Sequence, residues 1–81
     1  MHFGAKNVTK IFDDITSERK LQLDKWGEQR HDDEFWHLIL SEEVGEVAKA
    51  ILEEGAVELR KELVSVAAVA VAWVELLDSI T

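Results

Sequence analysis

The sequence predicts an all-α fold, an antiparallel helical bundle of about three main helices that forms one domain over residues 1–81. Three observations support this prediction. Apolar residues recur three and four positions apart, which is the spacing of one face of an α-helix. The sequence contains no proline and only four glycines. No repeat or low-complexity segment interrupts the pattern, and 81 residues suffice for one domain rather than two.

The first predicted helix runs from about Val8 to Trp26. Its apolar positions lie on one line along the helix, at Val8, Ile11, Phe12, Ile15 and Trp26. Gly27 is suited to end this helix, because glycine readily adopts the left-handed conformation found at helix C-termini. The segment from Glu28 to Asp32 is polar and predicts a loop.

The second predicted helix runs from about Asp33 to Glu54, and the third from about Val57 to Ile80. Asp32 or Asp33 can cap the start of the second helix, because a short acidic side chain accepts a hydrogen bond from a free backbone N–H group. Gly55 is suited to end it. The connection between the two helices is very short, so we expect antiparallel neighbours that form an αα-hairpin.

The apolar run from Leu63 to Val74 is interrupted only by Ser65. A helix that is apolar on nearly all sides must be covered on nearly all sides, and three short helices do not easily achieve this. We therefore expect a homodimer or homotetramer in which a second copy completes the core. The run has 12 residues. A membrane span needs about 20, so we expect a buried helix.

The charge balance excludes some classes of partner. The net charge is −8, with 9 basic against 17 acidic residues and no basic block. Nucleic acids and anionic membranes need a positive footprint, so neither is expected. A polyanionic small molecule can still bind if a divalent cation stands between it and the carboxylates. No cysteine occurs, which excludes disulfides and thiolate zinc sites. Residues 1–9 lack a signal-peptide pattern, so we expect a cytoplasmic protein.

Three glutamates fall where the helical pattern predicts the interior. At about 100° per residue, Glu43 lies inside the apolar arc of the second helix and Glu46 at its edge, while Glu62 lies within the apolar stripe of the third. Removing an ionised carboxylate from water costs several kcal/mol unless the carboxylate is paired with a positive charge. Mg²⁺ or Mn²⁺, which prefer oxygen ligands, is the simplest compensation. The alternative is that these glutamates are solvated, because glutamate favours helices and most glutamates are exposed.

The first helix carries a smaller anomaly of the same kind. Arg19 and Gln22 occupy the line that joins Ile15 to Trp26, and Glu18 lies beside them. Arg19 either pairs with a carboxylate or a phosphate, or extends its charge into water at the end of the bundle. Trp26 and Trp36 either belong to the core or stack on a nucleobase.

Several segments together resemble a known family. EEVGE at residues 42–46, followed after 15 residues by ELVS at residues 62–65, is similar to the EExxE and ExxD motifs of MazG-like and all-α nucleoside triphosphate pyrophosphohydrolases. ERKLQLDKWGEQRH at residues 18–31 and ELVSVAAVAVAWVE at residues 62–75 also resemble this family, so the likeness covers about residues 11–77. It implies that Glu43, Glu46 and Glu62 bind Mg²⁺. The fourth acidic position of the motif holds Ser65, which departs from the family pattern.

The resemblance implies hydrolysis of nucleoside triphosphates between the α and β phosphates, to a monophosphate and pyrophosphate, with a possible house-cleaning role. Glu43 or Glu46 would orient or deprotonate the attacking water. The phosphates would contact Arg19, Lys25 and Arg30, and the base would contact Gln22 and Trp26. Lys25 and Arg30 are alternatively solvated loop charges.

Two other functions remain open at this point. A degenerate, non-catalytic module that binds nucleotide or metal is favoured by Ser65, since a hydroxyl does not replace a carboxylate charge. A purely structural helical oligomer is the third reading, and it predicts no thermal shift with Mg²⁺ or nucleotides, because only a bound ligand stabilises the folded state by mass action.

Overall fold

The computed structural model of the chain describes residues 7–80, which form three α-helices and no strand. Helix α1 spans Val8–Trp26, α2 spans Asp33–Glu53 and α3 spans Ala56–Ile80. The predicted all-α fold of three helices is confirmed, and the predicted helix ends differ from the observed ones by at most one residue.

The helix ends follow from local signals in the sequence. The side chain of Asp32 accepts a hydrogen bond from the backbone N–H of Phe35 at 2.8 Å, so Asp32 caps α2. Gly27 closes α1 with a φ of 71°, and its N–H donates to the carbonyl of Leu23. Gly55 follows α2 with a φ of 92°. Both glycines adopt the left-handed conformation that other residues reach only at a cost, which is why the helices end there.

Helix α3 is the central helix, and α1 and α2 each pack along it. Within residues 7–80, no Cα atom of α1 comes within 8 Å of a Cα atom of α2. Helices α2 and α3 run antiparallel, because Trp73 near the end of α3 donates its indole N–H to Asp33 at the start of α2, at 2.9 Å. The predicted αα-hairpin is therefore present.

Two ion pairs join α1 to α3. Arg60 Nη2 lies 2.7 Å from Asp14 Oδ2, and Arg19 Nε lies 3.1 Å from Glu75 Oε1. Asp14 precedes Arg19 on α1, and Arg60 precedes Glu75 on α3. The two helices therefore run in the same general direction.

The buried core of the single chain is small. Trp36, Val69 and Ala72 form its centre, and four half-buried apolar residues pack against them, namely Ile39, Leu40, Trp73 and Leu76. Helix α1 contributes no buried residue. Most large apolar side chains in residues 7–80 stay exposed, at 17 positions. Ala50 of α2 and Ala68 of α3 are also buried, each at 0% exposure.

The accessible surface is larger than a compact monomer would have. It amounts to 6216 Å². A compact monomer of this length exposes roughly 4,900 Å². Val44, Ala48 and Ile51, which the helical pattern assigns to the apolar arc of α2, are exposed. Homo-oligomerisation, which would cover such positions, stays a prediction.

The whole of α3 is longer than the apolar run from which a buried helix was predicted. Its 25 residues are long and apolar enough to cross a membrane, with a mean hydropathy of 1.9 over the most apolar 18 residues, of which 17% are buried. The core helix of a soluble protein has the same length and composition. The length of α3 therefore does not distinguish a buried helix from a membrane-spanning one. The prediction of a buried helix from the length of the 12-residue run is not decided by this structure.

Candidate functional site

The gap between α1 and α2 forms an open cleft of about 230 Å³, and α3 forms its floor. We call this the interhelical cleft. It is lined by Glu18, Gln22 and Trp26 of α1, Gln29 of the loop, Trp36, Ile39 and Glu43 of α2, and Ser65, Val69 and Ala72 of α3. Five positions that the sequence singles out therefore come together: Gln22, Trp26, Trp36, Glu43 and Ser65.

Each helix presents one stripe of residues to the interhelical cleft. The lining positions on every helix are three or four residues apart, as at Glu18, Gln22 and Trp26 of α1. Side chains at this spacing lie one above the other on the same face of an α-helix. The regular helices, rather than a specialised loop, position most of the site.

The floor of the cleft is apolar and its walls are polar. Trp36 and Val69 are almost fully buried, at 3% and 5% exposure. Gln22 and Gln29 are half-buried, and Trp26 stands at the rim with 56% exposure. A flat apolar group with a hydrogen-bonding edge fits such a surface, since binding pockets combine apolar walls with a few placed polar groups.

Glu43 is half-buried, and its pKa is raised above the usual value for a glutamate. Desolvation is the main cause, and the negative charges of Glu62, Glu42, Glu46 and Glu18 follow in that order. Burial and neighbouring negative charge both disfavour the ionised carboxylate. A cation placed beside Glu43 would relieve both effects.

The two other predicted metal ligands differ in their exposure. Glu62 is half-buried on α3, one turn before Ser65, and its charge has the largest effect on Glu43 of the four carboxylates. Glu46 is exposed in the single chain and does not line the interhelical cleft. Of the three glutamates, only Glu43 lines the interhelical cleft, while Glu62 is half-buried outside that lining and Glu46 is exposed.

Carboxylate oxygens are the ligands that Mg²⁺ prefers, so the donor chemistry of these glutamates fits this ion. In the part of the chain that the structure describes, no three His, Cys, Asp or Glu side chains converge closely enough to hold a metal ion by themselves. Enzymes that act on phosphates usually hold Mg²⁺ with about one or two carboxylates plus the substrate phosphates. The residues therefore suit a site that the substrate completes, and the assignment of Glu43, Glu46 and Glu62 as ligands stays a prediction.

The basic residues predicted to contact phosphate lie outside the cleft. Arg19 is paired with Glu75 through two contacts, at 3.1 and 3.4 Å, and its side chain is only 15% exposed. Of the two roles considered for Arg19, pairing with a carboxylate is the observed one. Arg30 lies 3.4 Å from Glu28 in the loop, and Lys25 places its ammonium 4.8 Å from the centre of the Trp26 ring.

Besides the aliphatic residues of the lining, three residues were not predicted as site residues. Glu18 lies four and eight positions before Gln22 and Trp26, so its helical spacing alone could have indicated it. Gln29 lies in the loop, where spacing gives no such signal. Trp36 was considered only as a core or base-stacking residue. Its ring packs edge-on against that of His31, with centroids 5.2 Å apart, and its buried indole N–H has no hydrogen-bond partner within residues 7–80.

Compared with known protein families, curated proteins and solved structures, the chain matches none of them. The chemistry of the cleft is therefore argued from its own residues and from the motifs in its sequence.

Proposed function

We propose that the protein hydrolyses nucleoside triphosphates between the α and β phosphates in a reaction that depends on Mg²⁺, for which Mn²⁺ can substitute. The observation that carries this proposal is the position of Glu43. This half-buried glutamate has a raised pKa and shares a cleft with Gln22, Trp26 and Ser65. The EExxE-like and ExxD-like segments supply the second line of support.

The proposed chemistry needs a cation site and a base. Bound Mg²⁺ would offset the charge that develops on the phosphate oxygens. Glu43, Glu46 and Glu62 would hold it through their carboxylates. Glu43 or Glu46 would orient a water and accept its proton while the water oxygen attacks the α-phosphorus. The bond from that phosphorus to the bridging oxygen breaks, and pyrophosphate leaves with the electron pair.

Gln22 and Trp26 are proposed to contact the nucleobase. Lys25, at the rim beside Trp26, is the best placed of the basic residues to reach a phosphate, and Arg30 follows. Arg19 is less suited to this role, because Glu75 already neutralises its guanidinium. We assign Arg19 to holding α1 against α3.

A pyrophosphate-release assay tests the proposal directly. The full chain is incubated with a panel of deoxynucleoside and ribonucleoside triphosphates and Mg²⁺ or Mn²⁺. Glu43→Gln and Glu62→Gln should abolish release and keep the helical circular dichroism spectrum. Glu53→Gln is the matched control, because Glu53 is exposed on α2 and does not line the interhelical cleft. Equal turnover in the Glu43 variant and the control would refute the assignment.

A non-catalytic nucleotide- or metal-binding module is the second candidate, and Ser65 favours it. This half-buried hydroxyl lines the cleft where the resemblance implies an aspartate. Calorimetric titration separates the candidates, because binding without turnover supports the module. Ser65→Asp should then introduce turnover. Absence of any thermal shift with Mg²⁺ or nucleotide would instead leave the purely structural oligomer.

We also propose that a second copy of the chain covers the exposed apolar side chains of α2 and α3. Ile51 and Val74 are 63% and 54% exposed, so a charged side chain at either position should leave the fold of one chain intact. Ile51→Glu and Val74→Glu should shift sedimentation toward the monomer. A wild-type monomer at micromolar concentration, or a chain that partitions into lipid vesicles, would contradict the proposal. Dimer and tetramer are separated by the same measurement.

A further inference from the structure

The charged side chains that line the interhelical cleft are all acidic. They are Glu18 of α1 and Glu43 of α2, and none of the ten lining residues in the described chain is basic. Such a lining repels a triphosphate unless a cation lies between them, whereas an uncharged ring system is not repelled. The cleft measures about 230 Å³, which is below the roughly 300–1,000 Å³ of pockets that enclose a whole drug-sized ligand. It therefore suits the nucleobase, with the phosphates at its edge.

Glu18 lies beside the two residues that are proposed to contact the base. Gln22 and Trp26 follow it on α1 at four and eight positions, so the three side chains form one stripe along the wall of the cleft. Asp14, one turn earlier, is paired with an arginine of α3 at 2.7 Å. Glu18 is half-buried and forms no ion pair within the described chain. Its carboxylate can therefore accept hydrogen bonds from a ligand.

We propose that the interhelical cleft selects cytosine and adenine, and that Glu18 accepts the hydrogen bond of their exocyclic amino group. This inference rests on the proposed function, which assigns the cleft to a nucleotide. An ionised carboxylate only accepts hydrogen bonds, and it pairs with an amino group such as N4 of cytosine. Uracil and thymine present a carbonyl oxygen in place of that amino group, and a carboxylate repels it. Glu18 is thus a specificity-determining residue.

Two glutamines supply the donor that a carboxylate lacks. Gln22 and Gln29 are half-buried, line the cleft and form no hydrogen bond with another residue of the described chain. An amide both donates and accepts hydrogen bonds, so a glutamine can donate to a ring nitrogen while Glu18 accepts from the neighbouring amino group. Cytosine and adenine carry this pair of groups, an amino group beside an unprotonated ring nitrogen, on one edge. Both groups of that edge therefore find a partner on the walls of the cleft.

Calorimetric titration of the full chain with deoxynucleoside monophosphates in Mg²⁺ tests the inference without turnover. The cytosine and uracil nucleotides form one matched pair, and the adenine and hypoxanthine nucleotides form the other. The wild type should bind the amino member of each pair about tenfold or more tightly, because the other member leaves a half-buried carboxylate without a donor. Glu18→Gln should bring both ratios close to one, since a rotated amide pairs with either edge. Asp13→Asn is the matched control, because Asp13 is an exposed acid of α1 that does not line the cleft, and it should keep the wild-type ratios.

The wild-type ratios test the inference even if the Glu18 variant fails to fold. Equal affinities within each pair, no binding of any of the four monophosphates, or an unchanged preference in Glu18→Gln would overturn it. Pyrophosphate release from triphosphates without any preference between bases would refute the role of Glu18 and leave the proposed hydrolysis standing. A preference for the amino member without pyrophosphate release would support the role of Glu18 and refute the hydrolysis.

Discussion

Replacing Glu43 with glutamine removes a negative charge that the fold holds close to four other carboxylates. The folded-state pKa of Glu43 is raised, which means that the ionised carboxylate destabilises the fold. Glu43→Gln should therefore stabilise the protein when no metal is present. If Glu43 only packed against its neighbours, the substitution would change stability little, because glutamine has nearly the same shape.

The expected gain in the free energy of unfolding follows from the charged neighbours of Glu43. Repulsion between like charges one turn apart, as for Glu43 and Glu46, costs about 0.2–0.5 kcal/mol. Glu62 acts on Glu43 more strongly than Glu46 does, and partial desolvation adds to both. Solvent screening limits the sum, so we expect a gain of about 0.5–1 kcal/mol. For a domain of this size about 1 kcal/mol raises Tm by about 4–8 °C, so the expected rise is about 2–8 °C.

Thermal unfolding in EDTA and in excess Mg²⁺ with nucleotide measures this effect at one fixed protein concentration. In EDTA, Glu43→Gln should melt above the wild type. With Mg²⁺ and nucleotide together the order should reverse, because the wild type gains about 2.7 kcal/mol at a ligand concentration of about 100 times Kd and the variant gains little. The difference in EDTA should shrink as pH falls through the raised pKa of Glu43 toward its usual value near 4.5. A variant less stable than the wild type in EDTA would refute the reasoning, and Glu53→Gln should change neither melt.

Three further predictions follow from contacts of the fold. Asp32→Ala removes the N-cap of α2 and should lower the free energy of unfolding by about 1 kcal/mol in urea titration, whereas an unchanged midpoint would contradict the capping role. Arg19→Ala should cost about 0.5–1 kcal/mol and leave the KM for nucleotide unchanged, since its partner is Glu75, and a raised KM would show contact with substrate. Mg²⁺ affinity should begin to fall at a higher pH than for ordinary carboxylates, because Glu43 must release a proton to bind the ion, and a calorimetric profile that falls only near pH 4.5 would contradict this.

The helices could be predicted from the sequence because their signals are local. Asp32, Gly27 and Gly55 each act within a few residues of their own position, and periodicity identifies the face that each helix buries. Periodicity identifies the face of the helix on which a side chain lies, but it does not identify which other helix packs against that face. The partner of Arg19 is 56 positions away, on a helix whose placement no local signal determines.

In the candidate site, too, the features set by local signals could be predicted and those set by contacts between helices could not. Periodicity correctly turned Glu43 and Glu62 toward the inside, where both are half-buried. Periodicity placed Glu46 at the edge of the apolar arc of α2. A residue at such an edge is exposed to solvent when no other helix covers it. Glu18 was missed as a lining residue of the cleft because the cleft lies between two helices, and such a gap has no signature in the sequence of either helix.

Helices α1 and α2 both pack against α3 but not against each other. The width of the interhelical cleft is therefore set separately from the stability of the α2–α3 hairpin. Helix α1 is connected to α2 by the loop at residues 27–32, and none of its own residues is fully buried. Ligands of different size could then bind if α1 moves while α2 and α3 keep their positions. Tolerance for a range of nucleotides would then be a property of the architecture rather than of any single side chain.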